Sequence, residues 1–310
     1  MREEKRTIHL MGTVIQLWIQ HDNPGDILIN AENRLSEYEK RFSANDKHSD
    51  LMKINEQAGK NSVQVDKDLF ELITLGKTHS LPSDSALNIT VGPLVQLWRI
   101  GFEDAKRPSE QEIKEKLKII QPENIILNEE KQTVYLAQPG MAIDLGALAK
   151  GYFADKILEY FISQGVQSAI IDLGGNVVTY GEAPQHEDGY WRIGIQHPMK
   201  TRGNFVLALK SKNQSIVTSG IYERTFTVDG KTYHHIFDSR TGYPLETDIA
   251  SITVVSDKSV DGEIWTTRLF AQKPEQVIAT LNDQEGLSGI VITKDGRLLY
   301  SKSLSSQIIR

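Results

Sequence analysis

The chain has 310 residues, no cysteine, 39% hydrophobic and 25% charged residues, and a formal net charge of −6. That balance is ordinary for a soluble globular protein and excludes disordered, collagen-like and fibrous classes; zero cysteine excludes disulfides, thiolate metal sites, Fe–S clusters and cysteine nucleophiles. The acidic balance speaks against a nucleic-acid partner, which needs a basic face for phosphates. No stretch approaches the roughly 20 apolar residues of a membrane span.

In chain order, residues 7–20 read as extended around a break at Gly12. Residues 26–42 read as a helix, with Ile27, Ala31, Leu35 and Tyr38 at helical spacing. Further helices are predicted over 49–55, 66–81, 110–120 and 146–161, and a hairpin over 125–136. The second half changes texture. Short apolar runs at 169–173, 177–179, 191–195, 205–209 and 216–218 read as strands, followed by a tight hairpin around Asp229-Gly230 and a strand at 249–255. Helices at 260–271 and 274–282, and two short strands around Asp295-Gly296, close the chain. A helix-rich N-terminal half and an antiparallel-strand-rich C-terminal half define an α+β class rather than a doubly wound one. With no repeat or linker-like segment, residues 1–310 read as a single unit.

Four segments could carry chemistry. Asp144-Leu145-Gly146-Ala147-Leu148-Ala149-Lys150-Gly151 is a strand end, a turn of small residues and a helix start. Small residues allow close backbone approach, and a helix start with a lysine suits phosphate; the plain alternative is a strand–helix turn with a surface lysine. Asp172-Leu173-Gly174-Gly175-Asn176 suggests a bulge, a backbone contact with a ligand, or a simple turn. Thr218-Ser219-Gly220 and Tyr222-Glu223-Arg224 precede His234-His235-Ile236-Phe237-Asp238. Adjacent histidines on a strand face opposite ways, so only one can serve a given site, the other being a buried, hydrogen-bonded residue. A histidine with Asp238 nearby could be a base and its orienter. In Asp261-Gly262-Glu263-Ile264-Trp265-Thr266-Thr267, Glu263 and Thr267 share a helix face. They suit Mg²⁺ once phosphates supply further ligands; the alternative is a capped helix, with Asp261 as the cap.

Taken together and in this order, these segments resemble the ApbE-type FAD:protein FMN transferases. The likeness starts at His9-Leu10-Met11-Gly12-Thr13 and runs through Phe42-Ser43, Ser49-Asp50-Leu51, Asn55, and Leu87-Asn88-Ile89-Thr90 with Trp98. It continues through the four segments above to Leu269-Phe270. The resemblance implies an ApbE-like fold and FAD bound with Mg²⁺ at its pyrophosphate. It further implies attack by a Ser/Thr hydroxyl of an acceptor flavoprotein on the FMN-side phosphorus, a phosphoester product, and AMP as leaving group. By the same resemblance Met11, Ala86, Leu87, Asn88, Asp144, Lys150 and Ile236 contact FAD. The Ala147 carbonyl, Glu263 and Thr267 hold the metal, and His235, with Asp238 near it, activates the hydroxyl or, alternatively, only orders the phosphate pocket. Alternatives are a Mg²⁺-dependent FAD pyrophosphatase giving FMN and AMP, or a non-catalytic FAD-binding protein.

The sequence departs from the family pattern where Glu263 replaces an aspartate, Asn176 a common aspartate, Asn45 an aromatic and Ser239 a proline. Asp261 could share the metal site with Glu263. The charged start Met1-Arg2-Glu3-Glu4-Lys5-Arg6 shows no readable signal peptide, so a cytoplasmic location is expected, the alternative being export with the leader missing from this sequence.

Overall fold

The structure, a computed structural model, describes residues 1–309. A wholly antiparallel eight-stranded sheet organises it, in the order Arg2–Leu10, Thr13–His21, Ser168–Leu173, Asn176–Tyr180, Gln214–Gly220, Ile249–Ser256, Ser288–Thr293 and Leu298–Tyr300. Eight helices accompany it: α1 (Pro24–Phe42), α2 (Asp50–Glu56), α3 (Lys67–Ser80), α4 (Gly92–Trp98), α5 (Glu110–Leu117), α6 (Ala149–Ser163), α7 (Ser259–Arg268) and α8 (Pro274–Asp283). The α+β class expected from the sequence is therefore the one observed.

The period-two pattern of the strands assigns the layers. Ile15, Leu17 and Ile19 face the helical side and pack with residues of α1, α2, α3 and α6 in the largest core cluster. Trp18, one step out of phase, meets Trp191 edge-on at 5.2 Å on the opposite face. There a three-stranded sheet (Trp191–Gln196, Phe205–Ser211, Ile308–Ile309) brings Ile195, Leu207 and Leu209 onto Ile216, Val255, Ile290 and Ile292. Strand Ile249–Ser256, covered on both sides, is buried at every position.

Local chemistry places several helix starts. The Ser49 side chain accepts from the Met52 N–H, and Ser109 with Glu112 forms a capping box ahead of α5. Two elements differ from expectation. The first strand begins at Arg2 rather than Thr7, because an edge strand exposes its outer positions and so carries charged residues without apolar alternation. Helix α6 begins at Ala149, not Gly146, since residues 145–148 form a turn closed by the Leu148 N–H on the Leu145 carbonyl. Among the described residues, no helix is long and apolar enough to cross a membrane.

Candidate active site

The first turns of α6 and α7 meet at a polar node. Lys150 Nζ lies 3.2 Å from Glu263 Oε1, and Glu263 is only 3% exposed. The same oxygen accepts from Asn176 Nδ2 at 2.9 Å, and Asn176 Oδ1 in turn accepts from Ser259 Oγ at 2.6 Å. An amide suits this position because it donates to one neighbour and accepts from the other; an aspartate could not donate to Glu263. The Gly174-Gly175 turn thus delivers a buried residue that orients the acid.

Helix α7 has no cap of its own making: Lys258, at its N-cap, makes no side-chain bond, and Asp261 lies inside the first turn. The cap comes from α6. The Asp155 carboxylate accepts the Ser259 N–H at 2.7 Å and the Val260 N–H at 2.9 Å. Burial pushes the Asp155 carboxyl up to about 6 against the pull of these two N–H groups. The helices also approach closely, since a Cβ at Gly151 would fall 2.5 Å from the Ser259 carbonyl oxygen and 2.7 Å from Glu263 Cγ. Burial raises the Asp261 carboxyl, with the charges of Lys258 and His79 opposing and Asp257 adding to the shift. Of the two threonines, Thr266 is buried and tied between Ser219 Oγ and the Glu263 carbonyl, whereas the Thr267 hydroxyl makes no hydrogen bond among the described residues.

The turn before α6 is held from outside. Asn55 on α2 clamps Ile143 with its amide, Nδ2 donating to the Ile143 carbonyl at 3.0 Å and Oδ1 accepting the Ile143 N–H at 2.8 Å. Next in the chain, Asp144 Oδ1 accepts the Gly146 N–H at 2.8 Å. Burial raises the Asp144 carboxyl, opposed by that N–H and by the charge of Arg224. The Gly146 N–H is therefore occupied rather than free for phosphate. The Ala147 carbonyl accepts no backbone hydrogen bond among the described residues.

The two histidines part at the end of a strand: His234 is the last residue of Lys231–His234, and His235 lies just beyond it. His234 is buried; its Nδ1 accepts the Ile236 N–H at 3.3 Å and its Nε2 donates to the Leu245 carbonyl at 2.9 Å. With both nitrogens engaged it has no lone pair for catalysis. His235 Nδ1 lies 3.3 Å from the Arg224 carbonyl. A carbonyl only accepts, so the proton sits on Nδ1 and Nε2 keeps its lone pair. Burial, with the charges of Arg224 and Lys150, depresses His235 to about 4, so the ring is neutral at pH 7. The expected partnership with Asp238 does not form. The Asp238 carboxylate accepts from the Arg240 backbone N–H and Nε, both at 2.9 Å, and the Asp238 carbonyl accepts from Thr241 and Gly242. Asp238 shapes the 238–244 turn, and His235 is oriented by a main-chain carbonyl instead.

The remaining expected contacts flank two core clusters. Leu87, with partly buried Met11 and Ala147, belongs to the large helical cluster; Ile236 and partly buried Ala86 belong to a second. Trp265 touches both, with the Arg268 guanidinium 4.5 Å from its ring centroid. The Ala86 N–H donates to the Arg268 carbonyl at 3.0 Å, tying this segment to the end of α7, and Asn88 accepts from the Thr90 N–H and hydroxyl. Met11 holds a left-handed backbone, φ 55°, its N–H on Glu39 Oε1 at 2.5 Å. Sequence reasoning missed Asp155 and the role of Asn55. The amide of Asn55 reaches 88 residues along the chain, and only its place in the ordered motifs singled it out.

A buried acid paired to a lysine at a helix start, with a neutral imidazole within range of that lysine's charge, is equipment for nucleotide phosphate chemistry. The chain belongs to the ApbE family, whose model matches residues 11–291. It is 41% identical over 293 residues to a Klebsiella pneumoniae (strain 342) protein named FAD:protein FMN transferase, covering 94% of this chain and 90% of that one. A Treponema pallidum (strain Nichols) protein of the same name is 33% identical over 325 residues, covering 99% and 89%. The crystal structure of the ApbE protein from Thermotoga maritima superposes with a TM-score of 0.90 at 26% identity, covering 100% of both chains.

Proposed function

We propose that this protein transfers FMN from FAD to a Ser/Thr hydroxyl of an acceptor flavoprotein, with AMP as the leaving group. The observation that carries the reading is the His235 ring: neutral, its proton fixed on Nδ1 by a carbonyl, its Nε2 lone pair available, and Lys150 close enough to act on it. His235 Nε2 takes the proton of the acceptor hydroxyl as that oxygen attacks the FMN-side phosphorus. The bond to the bridging pyrophosphate oxygen breaks, and AMP leaves with the electron pair. Lys150 and the segment from Asp144 to Ala149 hold the pyrophosphate; Met11, Ala86, Leu87, Asn88 and Ile236 border the rest of the nucleotide.

The residues fit a magnesium ion. Both hydrogen-bonding partners of Glu263 fall on Oε1, and the Ala147 carbonyl ahead of α6 and the Thr267 hydroxyl one turn after Glu263 make no hydrogen bond among the described residues, so three hard oxygen donors are uncommitted. When bound, Mg²⁺ would neutralise charge on the pyrophosphate.

The test is incubation of an acceptor domain with the protein, FAD and MgCl₂, followed by denaturing electrophoresis. Flavin fluorescence on the acceptor band and one AMP per label are expected, and His235→Ala abolishes both while still binding FAD. An acceptor that stays dark, where the Klebsiella pneumoniae relative labels it, overturns the reading; AMP released equally without acceptor favours hydrolysis.

A further inference from the structure

Arg224 follows strand Gln214–Gly220 and is the residue whose carbonyl orients His235. Its side chain leaves that point and crosses Gly101, where a Cβ would lie 3.0 Å from Arg224 Cδ. It ends beside the Met11-Gly12 turn, with Nη2 3.9 Å from a Cβ built on Gly12. Its charge is felt by both Asp144 and His235. Yet no carboxylate lies within ion-pair distance of it among the described residues: neighbouring Glu223 is taken by Arg202 at 3.1 Å, and Asp104, near Gly101 in sequence, by Arg99 at 2.9 Å. An exposed guanidinium laid between two glycines, with its five donors unclaimed by any acid, is a fork preset for phosphate oxygens.

The charge demand of the reaction points the same way. In an in-line phosphoryl transfer the entering and leaving oxygens lie on opposite sides of phosphorus, and negative charge spreads over the non-bridging oxygens. Lys150 stands with Glu263 at the α6–α7 node, the side assigned to the pyrophosphate. The cation attached to the base side is Arg224. We infer that the Arg224 guanidinium is a further catalytic group, donating hydrogen bonds to the non-bridging oxygens of the FMN phosphoryl group as it passes to the acceptor hydroxyl. This rests on the transferase reading. Arg224 stays protonated throughout: the hydroxyl proton goes to His235 Nε2, the new P–O bond forms to the acceptor oxygen, and the bridging P–O bond breaks with its electron pair on AMP.

Because His235 is held by the main chain of residue 224, side-chain substitution there separates the two roles. Arg224→Ala should lower kcat for labelling by about a hundredfold or more, with the KM for FAD and for acceptor each held within about threefold. The acid limb of its pH profile stays that of the wild type. Millimolar guanidinium chloride should restore at least about tenfold of the loss in Arg224→Ala and leave wild type unaccelerated. Arg224→Lys, a point charge without the fork, should keep less than about a tenth of wild-type kcat. Wild-type kcat in Arg224→Ala, a loss that guanidinium does not touch, or a defect confined to the KM for acceptor would each overturn the assignment while wild type still labels. A wild type that fails to label overturns the transferase reading itself, and this assignment with it.

Discussion

Replacing Gly151 by alanine sets two effects of opposite sign against each other. In an exposed helix the change is favourable by about 1 kcal/mol, because alanine loses less backbone freedom. At this position the new Cβ meets the Ser259 carbonyl oxygen at 2.5 Å, the Ser259 carbonyl carbon at 2.8 Å and Glu263 Cγ at 2.7 Å. The obstacle is mostly backbone, which cannot rotate away. Helix α7 cannot retreat either, since on its other side a Cβ at Gly262 would lie 2.5 Å from Val217 Cγ2. Overpacking of this kind costs about 1–3 kcal/mol. Moving Ser259 also loosens its N–H bond to the Asp155 carboxylate, a charged hydrogen bond of about 1.5–3 kcal/mol. Taking about 2 for the first, the lower figure for the second and subtracting the helix gain leaves a net destabilisation of about 2–3 kcal/mol. Urea unfolding at pH 7 should show a lower midpoint at unchanged slope. A Gly151→Ala protein as stable as wild type, or more stable, would refute the claim that the two helices are wedged in place.

Two further outcomes follow from the site. His235, held near 4, should keep neutral imidazole NMR shifts from pH 8 to pH 5, and kcat/KM should fall only as pH approaches 4. In that interval the unfolded chain binds a proton that the folded one refuses, so this residue's contribution to stability is full above about pH 6.5 and is lost as pH falls toward 4; a midpoint near 6.5 would sink the assignment. Lys150→Met leaves the Glu263 charge with only the Asn176 amide. Because the Lys150 side chain is 30% exposed, the loss should be about 1–2 kcal/mol. Millimolar MgCl₂ should raise Tm more in this variant than in wild type, and not when Glu263→Gln is added; an absent Mg²⁺ response in Lys150→Met counts against Glu263 as a metal ligand.

Local signals in the sequence translated well into structure. Asp229-Gly230 forms the turn between Thr225–Val228 and Lys231–His234, with Phe226 opposite Tyr233. The two histidines do differ, His234 buried and His235 partly exposed, but not by alternation: Tyr233 and His234 are both buried and the strand ends at His234. What failed was the inference of side-chain partners from proximity along the chain. His235 and Asp238 are three apart and suggest a pair, but the Asp238 carboxylate finds nearer donors on Arg240 and closes a turn on itself. Asp261 stands where a cap belongs, yet the cap is Asp155, 104 residues away. Glycines 151 and 262 carry no turn signal at all; their reason is the distance between two helices and a strand, which exists only after folding.

The two margins of the main sheet have a consequence for a protein that must be visited by another folded chain. One rim, Arg2–Leu10, leaves its outward ladder bare but sets five consecutive charged side chains of mixed sign along it; the other, Leu298–Tyr300, is three residues long. A visiting strand that tried to lengthen the sheet would have to strip water from those charges or settle for a stub. The flanks of the sheet are thereby closed to an incoming strand.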